Sequence, residues 1–246
     1  MSLKTPENRI SPQSVASPLG GTYLPCVLSV ISGMVDVTSW LTLGELFAAH
    51  VTGNMVTICA TIAKGQLPHL IQILAIPLFV VGAIGSDLLS RWLGGLRIRQ
   101  VRGLLLAQAA FLVCACTIAG ATYPMESPQS LSANIVGASA VLAMSVQNAL
   151  VRLSYKQAPT TAIMTGNLVV VTLALMSLAF DRGETRSVSL DRLQATWPLL
   201  VGFIGGCLLG ASAVAICRDW AWVVPTIVSS IVAGSPWRFD RNTSSI

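Results

Sequence analysis

The sequence predicts an all-α integral membrane protein with about six transmembrane helices, plus two broken or re-entrant helices, in two internal repeats. Three observations carry this reading. Only 10% of the 246 residues are charged and 53% are hydrophobic, with a mean hydropathy of +0.71, whereas soluble domains carry roughly 25% charged residues. Several apolar windows reach the roughly 20 residues a helix needs to cross a bilayer. They are continuously apolar rather than alternating, which argues against a strand-built barrel. Finally, the tripeptide Thr-Gly-Asn occurs twice, as Thr52-Gly53-Asn54 and Thr165-Gly166-Asn167, each time inside apolar sequence and ahead of a helical run. A motif doubled in the same setting reads as an internal duplication.

Taken in order, residues 1–21 form a polar, Pro- and Ser-rich tail without the compact basic start of a cleaved signal peptide; disorder is expected there. The first repeat covers 22–122 and the second 132–234, with a polar tail at 235–246. The first span, 22–43, carries Gly33 and, near its middle, Asp36. Gly44-Glu45 breaks the pattern, and residues 46–63 hold His50, the first Thr-Gly-Asn and a short apolar run closed by Lys64-Gly65. Residues 68–93 and 103–122 are further spans, separated by a stretch rich in arginine: Arg91, Arg97, Arg99 and Arg102. After a Pro-rich joint at 123–131, residues 132–153 carry Gln147-Asn148, 160–180 the second Thr-Gly-Asn, and 196–217 another span. A short apolar segment at 219–234 closes the series.

The duplication extends past the tripeptide. Asp36 precedes Thr52 by 16 residues and Gln147 precedes Thr165 by 18, so the two polar groups are expected at equivalent places. Gly82, Ser86 and Ser90 form a ladder of small residues that Gly202, Gly206 and Gly210 repeat. Such ladders let helix backbones approach closely in lipid, and they also suit contact with a second copy of the chain. Asp87 and Arg91, four residues apart, are expected to pair. Tryptophans near segment ends fit an interfacial belt. The six cysteines lie in or beside apolar segments without metal-ligand spacing and read as small buried hydrophobes.

Charge decides between two topologies. If all eight apolar segments cross, the 15 Lys and Arg divide 8 to 7 between the two sides. If the two Thr-Gly-Asn segments enter and return on one side, or complete one broken crossing with the preceding helix, 13 lie on one side and only Lys64 and Arg218 on the other. The positive-inside rule favours the second arrangement, which makes the halves antiparallel and places both termini in the cytoplasm. The alternative is eight full spans in two parallel repeats. A net charge of +5 would suggest nucleic acid in a soluble protein. Here the basic residues lie between apolar segments, as topology determinants and headgroup contacts, and no nucleic-acid partner is expected.

The runs Gly33-Met34-Val35-Asp36, Val51-Thr52-Gly53-Asn54, Gln147-Asn148 and Met164-Thr165-Gly166-Asn167-Leu168 resemble the YoaK-like family of bacterial multipass membrane proteins, which is defined by a domain of unknown function. The resemblance covers residues 22–235 and implies a small polytopic inner-membrane protein of about six spans. It implies no substrate. Val51 stands where methionine, as at Met164, is more usual in the family.

An acid within a transmembrane segment costs about 3 kcal/mol on insertion scales and marks a functional site by default. Asp36 is therefore the first candidate, as a proton carrier or cation ligand. A helix starting inside the membrane at Thr52 or Thr165 would present free N–H groups and a positive dipole end, with Thr and Asn as caps and Gly allowing a bend or close approach. In secondary transporters such broken helices build a site near the midplane, between the repeats. The expected site thus gathers Asp36, Thr52, Gly53, Asn54, Gln147, Asn148, Thr165, Gly166 and Asn167 around a small polar or ionic solute. Neither a cofactor nor a metal is expected. The chain lacks the HExxH, GxSxG and phosphate-loop motifs of enzymes, leaving only a thin Glu45/His50 pair, so a transporter or channel is the reading. A membrane assembly protein without transport is the alternative.

Overall fold

The computed structural model describes residues 23–94, 97–125, 127–154, 164–180 and 182–235. The tails expected at 1–21 and beyond Ser235, and the stretch around Lys156, lie outside the described residues. Within them the chain is all-helical: α1 (Tyr23–Thr42), α2 (Gly53–Ala63), α3 (Leu70–Leu93), α4 (Arg97–Ala121), α5 (Leu131–Ser154), α6 (Met164–Phe180), α7 (Glu184–Cys217), a 3-10 turn (Arg218–Trp222) and α8 (Val223–Gly234). Five runs are long and apolar enough to cross a membrane: α1, α3, α4, α5 and the continuous stretch Glu184–Gly234. The apolar helices α2 and α6 are shorter. This is a multi-span helical membrane protein.

α1 lies at the centre of the bundle. Leu24, Leu28, Ile31, Met34 and Val35 have no exposed surface, because α7, α8 and α5 all pack on this helix. The seam with α7 is the glycine ladder. A Cβ at Gly202 would lie 3.0 Å from the Cys26 carbonyl oxygen, one at Gly206 would strike that of Val30, and one at Gly210 would lie 2.8 Å from that of Met34. Both residue series rise together, so α1 and α7 run parallel with their backbones in contact. On the other side of the bundle α3 and α5 also run parallel, held through side chains. A Cβ at Gly137 would meet the Ile71 side chain, and Ser145 Oγ donates to the Phe79 carbonyl at 2.6 Å.

The ends of the helices set the direction of each. Gln72 Nε2, in the first turn of α3, donates to the Gly44 carbonyl just past α1 at 2.9 Å. α3 therefore starts at the end where α1 stops, called here the loop end. Arg97 at the start of α4 bonds the Ser154 carbonyl at the end of α5, which marks the opposite, basic end. Arg218 turns the chain with φ +52. α8 then runs back along α4, with Asp219 accepting from the Met125 N–H at 3.0 Å and Thr226 Oγ1 donating to the Leu112 carbonyl at 3.1 Å.

Asp87 and Arg91 form the expected pair, at 2.7 Å. Trp92 and Trp220 are exposed near helix ends as a belt requires, but Trp197 is exposed in the interior of α7 and Trp222 is fully buried in the 3-10 turn. The expectation for the cysteines needs correcting. Cys59, Cys114 and Cys217 are exposed and the other three half-buried, so none is a buried core residue; on α7 the inward face is taken by Gly202, Gly206, Gly210 and Ala213 instead.

The α1–α7 seam yields a paired prediction. Gly206→Ala should destabilise the purified protein by about 1–3 kcal/mol, because the added methyl meets unyielding backbone. Gly205→Ala, one position along, should stay within about 0.5 kcal/mol of wild type, since a Cβ there meets nothing within 4 Å. Thermal unfolding in one detergent checks both.

Candidate functional site

The site is built on Asp36. It lies four turns into α1 and is 3% exposed. After α1 the chain does not enter the next helix directly. Gly44 and Glu45 take positive φ of 70° and 63°, reversing the backbone so that residues 46–50 fold back along the last turns of α1. Leu46, Ala48, Ala49 and Val51 are buried there, although this stretch is not helical. Its polar backbone groups therefore need partners from elsewhere.

Side chains supply them. Asp36 Oδ1 accepts from the Ala49 N–H at 2.6 Å, and Oδ2 is bonded to His50 Nδ1. Ser39 Oγ donates to the Leu46 carbonyl at 2.9 Å. Asn54 holds both polar groups of Phe47, accepting from its N–H at 2.9 Å and donating to its carbonyl at 2.8 Å. The Phe47 ring packs on Trp40, tilted by 42° with centroids 4.7 Å apart, and leaves no room for a Cβ on Gly53, which would come within 2.7 Å of it. His50 sits edge-on to Phe203 of α7, centroids 5.2 Å apart, with 27% of its side chain exposed. A buried carboxylate is thus joined to a half-buried imidazole that reaches the surface. Asp36 and His50 are also metal-ligating types, but no third His, Cys, Asp or Glu joins them among the described residues.

The expected site is therefore only partly assembled. Thr52 is exposed and makes no side-chain cap. The first N–H groups of α2 are taken by turn bonds, Gly53 to the His50 carbonyl at 2.7 Å and Asn54 to that of Val51 at 3.1 Å, so α2 presents no open cationic end. Asn54 ties down the loop rather than facing a ligand. The second tripeptide is elsewhere. Thr165 and Gly166 are exposed in the first turn of α6 and Asn167 is buried. Asn167 lines a groove of about 600 Å³ between α6 and α7 that also includes Thr196. Thr196 lies three residues before Leu199, whose carbonyl accepts from Ser29 near the start of α1. The two tripeptides thus stand at opposite ends of α1 and do not meet at mid-bundle.

Gln147 is also separate from Asp36. Its Nε2 donates to the Leu28 carbonyl at 2.9 Å and its Oε1 accepts from Gln108 Nε2 at 2.9 Å. Leu28 and Asp36 are eight residues apart, about 12 Å along the helix. Nor is Gln147 the counterpart of Asp36. Ser29 and Ser145 each bond the carbonyl three residues before the first glycine of a ladder, Leu199 before Gly202 and Phe79 before Gly82. Counted from these serines, Gln147 matches Ile31. Asn148 turns back to the Met144 carbonyl of its own helix at 2.9 Å.

The sequence reading did not pair His50 with Asp36; it set the histidine beside Glu45, which is exposed. The signal was present. A buried acid needs a partner, and the first half has only two histidines, His50 and His69.

Residues 24–235 match the model of a family described as "Protein of unknown function (DUF1275)". The chain belongs to that family, the YoaK-like group that its motifs resemble. Searches of curated proteins and of solved structures returned no match. The family match spans both Thr-Gly-Asn segments, Asp36 and His50.

Proposed function

We propose that this chain is a small proton-coupled transporter for a polar or ionic solute, with Asp36 and His50 as the proton-carrying pair. The observation that carries this is the buried carboxylate on a membrane-spanning helix, bonded to a histidine on a non-helical loop that reaches the surface. Acids at such positions mark ion and proton routes. Irregular backbone inside a membrane protein is tolerated where it is buried in protein or lines a passage. The reading is of a carrier rather than an enzyme, and it needs no cofactor.

The same reading takes the molecule as six spans in two inverted repeats. Three features support it. α1 and α3 share the loop end, so α2 leaves and returns there, while α5 and α7 leave α6 at the basic end. Helix pairing is duplicated, α1 with α7 as α5 with α3, and α1 with α8 as α5 with α4. These helix directions also put Arg91, Arg97, Arg99, Arg102, Arg152, Arg182, Arg186 and Arg192 at one end and Lys64 and Arg218 at the other. The positive-inside rule then makes the basic end cytoplasmic, in the inner membrane, with both termini on that side.

Two measurements test this. Reporter tags inserted at 65–68 and at 181–194 should report opposite sides of the membrane; tags on the same side would return the eight-span topology. For transport, a thermal-shift screen against metabolites and ions first supplies a solute. In proteoliposomes Asp36→Asn should then lose accumulation driven by a pH gradient while keeping downhill exchange of that solute. Undiminished gradient-driven accumulation in the variant would remove the proton role.

A further inference from the structure

Three polar side chains in the middle of the bundle share a property that Asp36 and His50 do not. Ser32 Oγ on α1, Gln108 Oε1 on α4 and Ser229 Oγ on α8 are buried without a hydrogen-bond partner among the described residues. The three residues are 0%, 1% and 1% exposed. A buried polar atom left unpaired costs about 1–3 kcal/mol, and an isolated case can be absorbed. Three on neighbouring helices point to a common cause.

Their positions follow from contacts already described. Gln108 is held through Nε2 by Gln147, which is held in turn by the Leu28 carbonyl. That carbonyl is the one four residues before Ser32, which a helical serine would ordinarily bond. With Gln147 on it as well as the helix's own N–H, both acceptor sites are filled, and Ser32 Oγ must look elsewhere. α4 and α8 are antiparallel and touch where Thr226 Oγ1 donates to the Leu112 carbonyl. Gln108 is one turn from that contact on α4. Ser229 is about one turn from it on α8, in the same direction. Ser32, Gln108 and Ser229 therefore approach the same level of the core from three helices, with α8 packed on both α1 and α4 and Gln147 of α5 bridging α1 to α4.

We infer that these three groups bind an internal water. The chemistry matches: a buried water makes about three hydrogen bonds to groups that otherwise lack partners. Here it donates to Gln108 Oε1, which can only accept, accepts from one serine hydroxyl and exchanges either role with the other. The site continues the polar track of α1. Ser32 is one turn from Asp36, about 6 Å along the axis, so the water extends the Asp36–His50 pair toward the centre of the bundle. The role of that track as a proton relay rests on the transport reading above, whereas the water site does not.

The test uses the full chain in lipid nanodiscs and needs neither solute nor transport. Millisecond hydroxyl-radical footprinting oxidises side chains beside bound water even where bulk solvent is excluded. Met144 is fully buried and stands one turn before Gln147 on α5, so it serves as the reporter. In wild type Met144 should be oxidised, and in Ser32→Ala with Gln108→Leu that oxidation should be lost. An unlabelled Met144 in wild type would overturn the site, and this arm needs no variant to fold. Equal labelling in a folded variant, judged by its thermal unfolding, would overturn it as well. If labelling is lost in the variant but proton-driven accumulation persists, the water site stands and the relay role fails.

Discussion

A single buried carboxylate holds the non-helical loop at residues 46–50 against α1. Within a bilayer a helix satisfies its own backbone, but a loop cannot. Residues 46–50 fold back on α1, and Asp36 supplies the acceptor that the Ala49 N–H would otherwise lack and the partner that His50 needs. Ser39, Asn54 and Gln72 secure the same loop through the carbonyls of Leu46, Phe47 and Gly44. The first Thr-Gly-Asn follows directly from this. Its asparagine clamps Phe47, its glycine makes room for the Phe47 ring, and its threonine does neither. The acid that looks costly when the helix is read alone is thus the anchor of its neighbouring loop.

The rest of the bundle is held by close backbone packing. Lipid tails offer no hydrophobic drive between helices, so contact area and hydrogen bonds must do the work. The glycines of α7 bring its backbone against that of α1, and Gly82 makes room for the Ser145 side chain between α3 and α5. Each seam carries one serine-to-carbonyl bond at a matching place. Interhelical bonds of this kind average about 0.6 kcal/mol, so they fix register more than they add stability.

Much of this was legible in the sequence. Composition announced a helical membrane protein, the small-residue ladders marked the seams, and Asp36 stood out because a lone acid in an apolar span demands a reason. What failed were inferences about which residues meet. Equal spacing to Thr-Gly-Asn set Gln147 opposite Asp36, but the matching serine-to-carbonyl bonds of Ser29 and Ser145 set Gln147 level with Ile31 instead. The two tripeptides were expected to converge, yet each follows its own preceding helix, and those helices end at opposite faces of the bundle. The pairing of His50 with Asp36 was missed because it depends on the positive φ values at Gly44 and Glu45. Glycine made the first of these foreseeable; glutamate hid the second.

The claim that Asp36 and His50 act as one unit to hold the loop is tested most directly by a double-mutant cycle. Thermal or denaturant unfolding would be measured for wild type, Asp36→Asn, His50→Gln and the double variant in the same detergent. A shared, buried hydrogen bond predicts a coupling free energy of about 1–3 kcal/mol, because each single change should cost most of what both cost together. Costs that add to within about 0.5 kcal/mol would show that the two side chains stabilise the fold independently, and would contradict the account.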